Sequence, residues 1–165
     1  MRGNLILVIV LVLTQISGCT PSRHEMGLAV VRQMGDVPCF SIENTEKTRV
    51  GKPNLVAIEV VGEHGEKVWA IEFKKLPPLT PDQCIPYGQT IAVYPPLVPA
   101  GPLIPGQVYG VSIIAPLQDQ YEAHSYSAEF CLLKHSGSGV RVHQIQMDME
   151  ASRWMREVCK VEITN

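Results

Sequence analysis

Apolar and polar residues alternate along most of the chain in short runs separated by turn residues, the pattern of a β protein. From Gly27, two strands are predicted, Leu28 to Gln33 and Val37 to Ile42, broken at Gly35-Asp36. Glu43 to Lys52 is polar and reads as a loop. Leu55 to Val61 is rich in β-branched residues and reads as a central strand. Glu63-His64-Gly65-Glu66 turns the chain back into Lys67 to Phe73, where Trp69, Ile71 and Phe73 form the core face and alternate with Val68, Ala70 and Glu72. Pro77 to Pro105 holds nine of the 13 prolines, and proline cannot donate to a ladder, so a long central strand is excluded there. Two short strands are expected within it, Cys84 to Tyr87 and Thr90 to Tyr94. Leu97, Val98, Leu103 and Ile104 are apolar, so the segment reads as a stiff, partly packed loop rather than a flexible linker. It is either a crossover between sheets or a rigid apolar ledge that meets a partner. On the second reading Leu97 and Val98 are the contact residues.

Leu103 to Ile113 places a Pro-Gly turn before Tyr109 and alternating Val and Ile. This looks like the start of a late strand in immunoglobulin-like and fibronectin-type sandwiches, where a Tyr at the corner bonds back to loop backbone. Tyr109 is the candidate; the alternative is a core-facing Tyr at a strand start. Tyr121 to Leu133 reads as a long strand, Ser136 to Gly139 as a turn and Val140 to Met147 as the return. The tail supports two readings. Ala151, Trp154, Met155 and Val158 fit one helical face. Alternatively, Asp148 to Ser152 is the loop of a hairpin whose second strand is Arg153 to Val161. The expected fold is all-β, an immunoglobulin- or fibronectin-III-like antiparallel β-sandwich over residues 27–165, ending in a hairpin or short helix.

The N-terminus changes the setting of this domain. A weakly basic start is followed by the apolar run Leu5 to Leu13 and a small-residue site, the layout of a secretory signal over residues 1–18. The run is shorter than the ~20 residues that span a bilayer. Ile16-Ser17-Gly18-Cys19 resembles the bacterial lipobox. The resemblance implies that Cys19 carries a diacylglycerol and becomes the new N-terminus, with a further acyl chain; two or more chains make a stable anchor. The competing reading is an ordinary signal with an incidental Cys. Residues 19–26 then read as the lipidated tether. Thr20 replaces the Asp that retains such lipoproteins at the inner membrane, which implies outer-membrane sorting with the domain facing the periplasm.

Removing the signal leaves about 147 residues, one domain, with a net charge of about −3. No basic patch for nucleic acid is visible. Four cysteines remain beyond Cys19, namely Cys39, Cys84, Cys131 and Cys159. An even count in an exported chain reads as two disulfides with three possible connectivities. Cys39 with Cys84 and Cys131 with Cys159 is preferred, since each closes a moderate loop worth roughly 3 to 4 kcal/mol in chain entropy. In a flat three-stranded meander, however, Cys131 and Cys159 would lie about 10 Å apart and could not bond; a bulge or a turn of the tail is required.

No catalytic motif is present. His24, His64, His124, His135 and His143 are scattered, no Cys-x-x-Cys suggests zinc, and no Gly-rich loop suggests a nucleotide. Ser136 and Ser138 lie in no G-x-S-x-G. No metal, cofactor or small-molecule substrate is inferred. Trp69 and Trp154 read as core residues.

Several pieces together resemble a family of small enterobacterial lipoproteins described as type VI secretion immunity proteins of the periplasm. They are the lipobox, Cys39-Phe40-Ser41, Cys84-Ile85-Pro86-Tyr87-Gly88, Pro105-Gly106-Gln107-Val108-Tyr109, Ala128-Glu129-Phe130-Cys131, and the tail with Gln144-Ile145, Trp154 and Val158-Cys159. The resemblance implies a non-enzymatic protein that binds and neutralises a toxin delivered by neighbouring cells. A structural or assembly lipoprotein of the envelope is the alternative, followed by an enzyme or enzyme inhibitor acting on the cell wall.

Overall fold

A computed structural model describes residues 25–75, 77–89, 95–117, 124–134, 139–148 and 150–160. In chain order they form β1 (Glu25–Met34), β2 (Val37–Ile42), a helical turn (Glu46–Val50), β3 (Ala57–Gly62), β4 (Lys67–Glu72), β5 (Ile85–Pro86), β6 (Val108–Ile114), β7 (His124–Lys134), β8 (Val140–Ile145), β9 (Met147–Asp148), β10 (Arg153–Trp154) and a 3-10 turn (Arg156–Lys160). Residues 1–18, Cys19, His24, His135, Ser136, Ser138 and the strand expected at Thr90 to Tyr94 lie outside the described residues. Among those described, no helix is long and apolar enough to cross a membrane.

The all-β class expected from the alternation is the class observed. Eight strands form one sheet in the order β4-β3-β6-β7-β1-β2-β5, with β8 also paired to β7. The sheet is mixed, not antiparallel throughout. Glu25 to Leu28 of β1 runs parallel to His124 to Ser127 of β7, while Ala29 to Met34 pairs antiparallel with β2. β1 is ten residues long and changes partner midway, which carries the sheet round a corner. Gly27 sits at this corner because a Cβ there would lie 2.6 Å from the Tyr126 ring.

The curl brings the two ends of the sheet face to face. Phe40 on β2 lies 6.0 Å from Trp69 on β4 and 5.6 Å from Phe130 on β7, ring centre to ring centre. Around these rings pack Ile42, Ile58, Val60, Ile71, Tyr109, Val111 and Ile113, all buried. Each removes most of its apolar surface from water, roughly 1.5–3 kcal/mol per side chain. Of the expected core face of β4, Trp69 and Ile71 are buried and Phe73 packs alongside, but the alternation is incomplete, since Ala70 is buried as well and Val68 also packs against the core.

Where β1 leaves β7 it runs beside β8 without pairing to it, and two glutamines fill the gap. The Gln144 amide accepts from Val31 N–H at 2.8 Å and donates to Ala29 O at 3.0 Å. Gln33 donates to Val140 O and accepts from Val142 N–H, both at 3.3 Å. A side-chain amide carries the same donor and acceptor as a peptide unit, so these residues continue the ladder across the seam.

Both disulfides are present, Cys39–Cys84 with Cα atoms 5.4 Å apart and Cys131–Cys159 at 5.9 Å. The tail resolves the distance problem by not continuing as a strand. The second hairpin strand expected from Arg153 to Val161, whose last residue lies outside the described residues, is restricted to a two-residue ladder between β9 and β10. The 3-10 turn then folds back over β7, where Cys159 packs with Val108, Leu133 and Ile145. Arg156 forks onto Glu129 at 2.6 and 2.5 Å and fixes that turn in place. Each reading of the tail therefore describes part of it. One other element departs from expectation. The polar loop at Glu43 to Lys52 contains the helical turn, started by a capping box between Thr45 and Thr48.

Candidate functional site

Residues 95–106 read Pro-Pro-Leu-Val-Pro-Ala-Gly-Pro-Leu-Ile-Pro-Gly, with no charged or hydrogen-bonding side chain. Such a run normally enters a core. Five of its residues are prolines without a backbone donor, so it cannot join a ladder and stays at the surface. Pro95, Leu97, Pro99, Ala100, Pro102 and Ile104 are exposed, and the residues between them are partly covered. Leu97 is 67% exposed and Ile104 51%, whereas Leu103 packs against the core.

The ledge is held by its backbone. Val98 and Ala70 of β4 exchange two N–H···O bonds of 3.1 Å, and Gly101 N–H donates to Val68 O at 2.9 Å. This occupies the free edge of β4 over those residues, and the prolines beside Val98 prevent further strands from adding there. Glu72, Lys74, Pro95 and Leu97 line an open hollow of about 260 Å³ beside it.

Two tyrosines hold the rest. Tyr109, buried at the start of β6, accepts from Ile104 N–H at 2.7 Å through its hydroxyl, which in turn donates to Gln107 Oε1 at 3.1 Å. The bond reaches back five residues into the loop, the geometry of a tyrosine corner. Its ring stacks on Phe130 with centres 5.6 Å apart. Tyr87, after β5, shares its hydroxyl proton between Gly101 O at 2.7 Å and Val68 O at 3.1 Å. Its backbone N–H donates to Pro38 O, and its ring meets Trp69 edge-on at 5.3 Å. Burial disfavours a phenolate there and nearby Tyr109 adds to the effect, so the Tyr87 pKa is pushed up to about 12. At its far end the ledge closes with Gly106 N–H donating to Leu132 O at 2.8 Å, with Gly106 at φ +87°, a conformation that favours glycine.

The sequence-predicted residues thus separate. Leu97 projects outward, while Val98 is partly covered and committed to the β4 edge. Tyr109 holds the ledge from beneath. Cys39–Cys84 ties the start of the Pro-rich segment to β2, and Cys131–Cys159 lies on the outer side of β7. Ile104 and Tyr87 were missed as site residues. Tyr87 is a hydroxyl-bearing aromatic within a segment short of backbone donors, a signal that Tyr94 shares.

Among the described residues, no group of three or more His, Cys, Asp or Glu side chains is placed to hold a metal. His64 is exposed, His143 partly covered and His124 buried, on three different elements. What the ledge offers chemically is a fixed, uncharged apolar surface. No protein-family model, curated protein or solved structure matches the chain.

Proposed function

We propose that this protein is a periplasm-facing lipoprotein, anchored through Cys19 to the outer membrane, that binds and neutralises a protein toxin delivered by type VI secretion. The ledge is the observation that carries the binding half of the reading. Its exposed apolar atoms gain from burial against a partner. Its backbone, already fixed by prolines, two tyrosines and the β4 edge, loses little entropy when the partner docks. The toxin half rests on the sequence resemblance and the lipobox. The finer identity of the fold belongs to the same proposal. β1–β2–β5 would be one sheet and β4–β3–β6–β7 the other sheet of an immunoglobulin-type sandwich, with β1 crossing between them.

The test is a competition on a surface between a deletion strain and its parent, with and without a working type VI apparatus in the parent. Death of the deletion strain only beside an injecting parent supports the reading. Survival under verified injection overturns it and favours an envelope-assembly role.

A further inference from the structure

Eight large hydrophobic side chains are exposed among the described residues, and most of them fall in two places. Leu97 and Ile104 are on the ledge. Met26, Leu28, Val50 and Ile114 are at the end of the fold where the described chain begins. Strand register fixes the grouping of Met26, Leu28 and Ile114. Met26 pairs with Ser125, Ser125 with Ile114, and Ile114 with Ala57, giving one row across the outer face of β1, β7, β6 and β3. Leu28 follows in the next outward-facing row, opposite Ser127. Val50 stands on the helical turn that links the end of β2 to the start of β3 at the same end. Met26 is 74% exposed, Val50 72%, Ile114 44% and Leu28 41%. The serines between them are short, so the apolar side chains stand above the sheet.

Only six residue steps separate Cys19 from Glu25, a reach of at most about 20 Å even when fully extended. That is about the length of the seven-residue β6. An acylated Cys19 therefore confines this end of the domain to the neighbourhood of the headgroups, where its effective concentration at the lipid surface is high. We infer that Met26, Leu28 and Ile114 form a membrane-contacting face that seats the domain on the lipid surface beside its anchor, with exposed Val50 at the same end of the fold. The inference rests on acylation of Cys19.

Seating the domain this way orients the rest of it. The tail packs beside Val108 and Cys131 and holds that end off the lipid, so β6 slopes from Val108, farther from the surface, to Ile114, close to it. The ledge lies beside Ala70 and Val68 midway along β4 and ends beside Leu132, towards the far end of β7. Its length then points away from the lipid and remains open to a partner arriving through the periplasm.

The test uses the full mature chain in phosphatidylethanolamine–phosphatidylglycerol vesicles. Cysteines are introduced singly by Met26→Cys, Ile114→Cys and His64→Cys, the last in the β3–β4 turn at the far end, and each is spin-labelled. Collision with a water-soluble relaxing agent is then measured. The expected result is accessibility at positions 26 and 114 at least about three-fold below that at 64. Equal accessibility at all three positions, in protein that floats with the vesicles, overturns the seating alone. Protein that neither floats nor carries acyl chains by mass overturns the anchor, and the seating with it.

Discussion

The strand run from Leu55 to Gly62 and the ledge from Pro95 to Gly106 are both strongly apolar, yet one is a wall of the core and the other a surface. The difference lies in the backbone. β3 can donate at every residue and is paired on both sides, to β4 and β6. Its inward residues Ile58 and Val60 are 1% and 0% exposed. The ledge has five prolines in twelve residues, so its donors are too few for a ladder and its carbonyls need other partners. Gly101 O finds one in the Tyr87 hydroxyl and Val98 O one on the β4 edge, while the Ile104 N–H donates to the Tyr109 hydroxyl. Hydropathy sets how much a run gains from burial. The supply of N–H groups decides whether the run can be buried without leaving its backbone polar groups unpaired.

Substitutions should separate the two regions sharply. The largest effect is expected from Ile58→Ala in β3, a loss of about 3–4 kcal/mol from the deleted side chain and the cavity it leaves, read as a shift in the denaturant midpoint. Tyr109→Phe keeps the packing on Phe130 but strands the Ile104 N–H. It should cost about 1–2 kcal/mol and raise hydrogen exchange in the ledge more than in β3.

Next comes pH. Tyr87 has a folded pKa of about 12, above the unfolded value of about 10. The raised value means the folded state holds the proton more tightly. That stabilisation is complete below about pH 10 and is lost as pH rises from 10 through 12. Tyr87→Phe should flatten this part of the stability profile; an unchanged slope would show that Tyr87 does not contribute. The smallest stability effect is expected from Leu97→Ser with Ile104→Ser, within about 0.5 kcal/mol of wild type because both side chains are more than half exposed. A larger loss would mean that the ledge is part of the core after all.

The strands were legible wherever alternation and turn residues coincide, as at Gly35-Asp36 and Glu63 to Glu66. The Trp69 and Ile71 core face followed from period two. The parallel pairing of β1 with β7 was hidden, because alternation reports which face a residue takes and not which strand lies beside it. The Gln33 and Gln144 seam was hidden for a related reason. A glutamine that completes a ladder looks the same in sequence as one in solvent. The tail was ambiguous because its helical and hairpin signals belong to successive pieces, a two-residue ladder and a 3-10 turn. For the site, Leu97 was legible as an apolar residue that prolines keep out of a sheet. Ile104 was not, because its exposure depends on Leu103 turning inward beneath it.

The most direct measurement is a competition in which the surface carries the only change. A strain whose chromosomal copy bears Leu97→Ser and Ile104→Ser is grown against a type VI-competent parent, with the variant's abundance and melting temperature checked beforehand. The account predicts that a stable, abundant variant protects no better than the deletion and survives when the parent's apparatus is disabled. Full protection by that variant would contradict the ledge as the surface that meets the toxin.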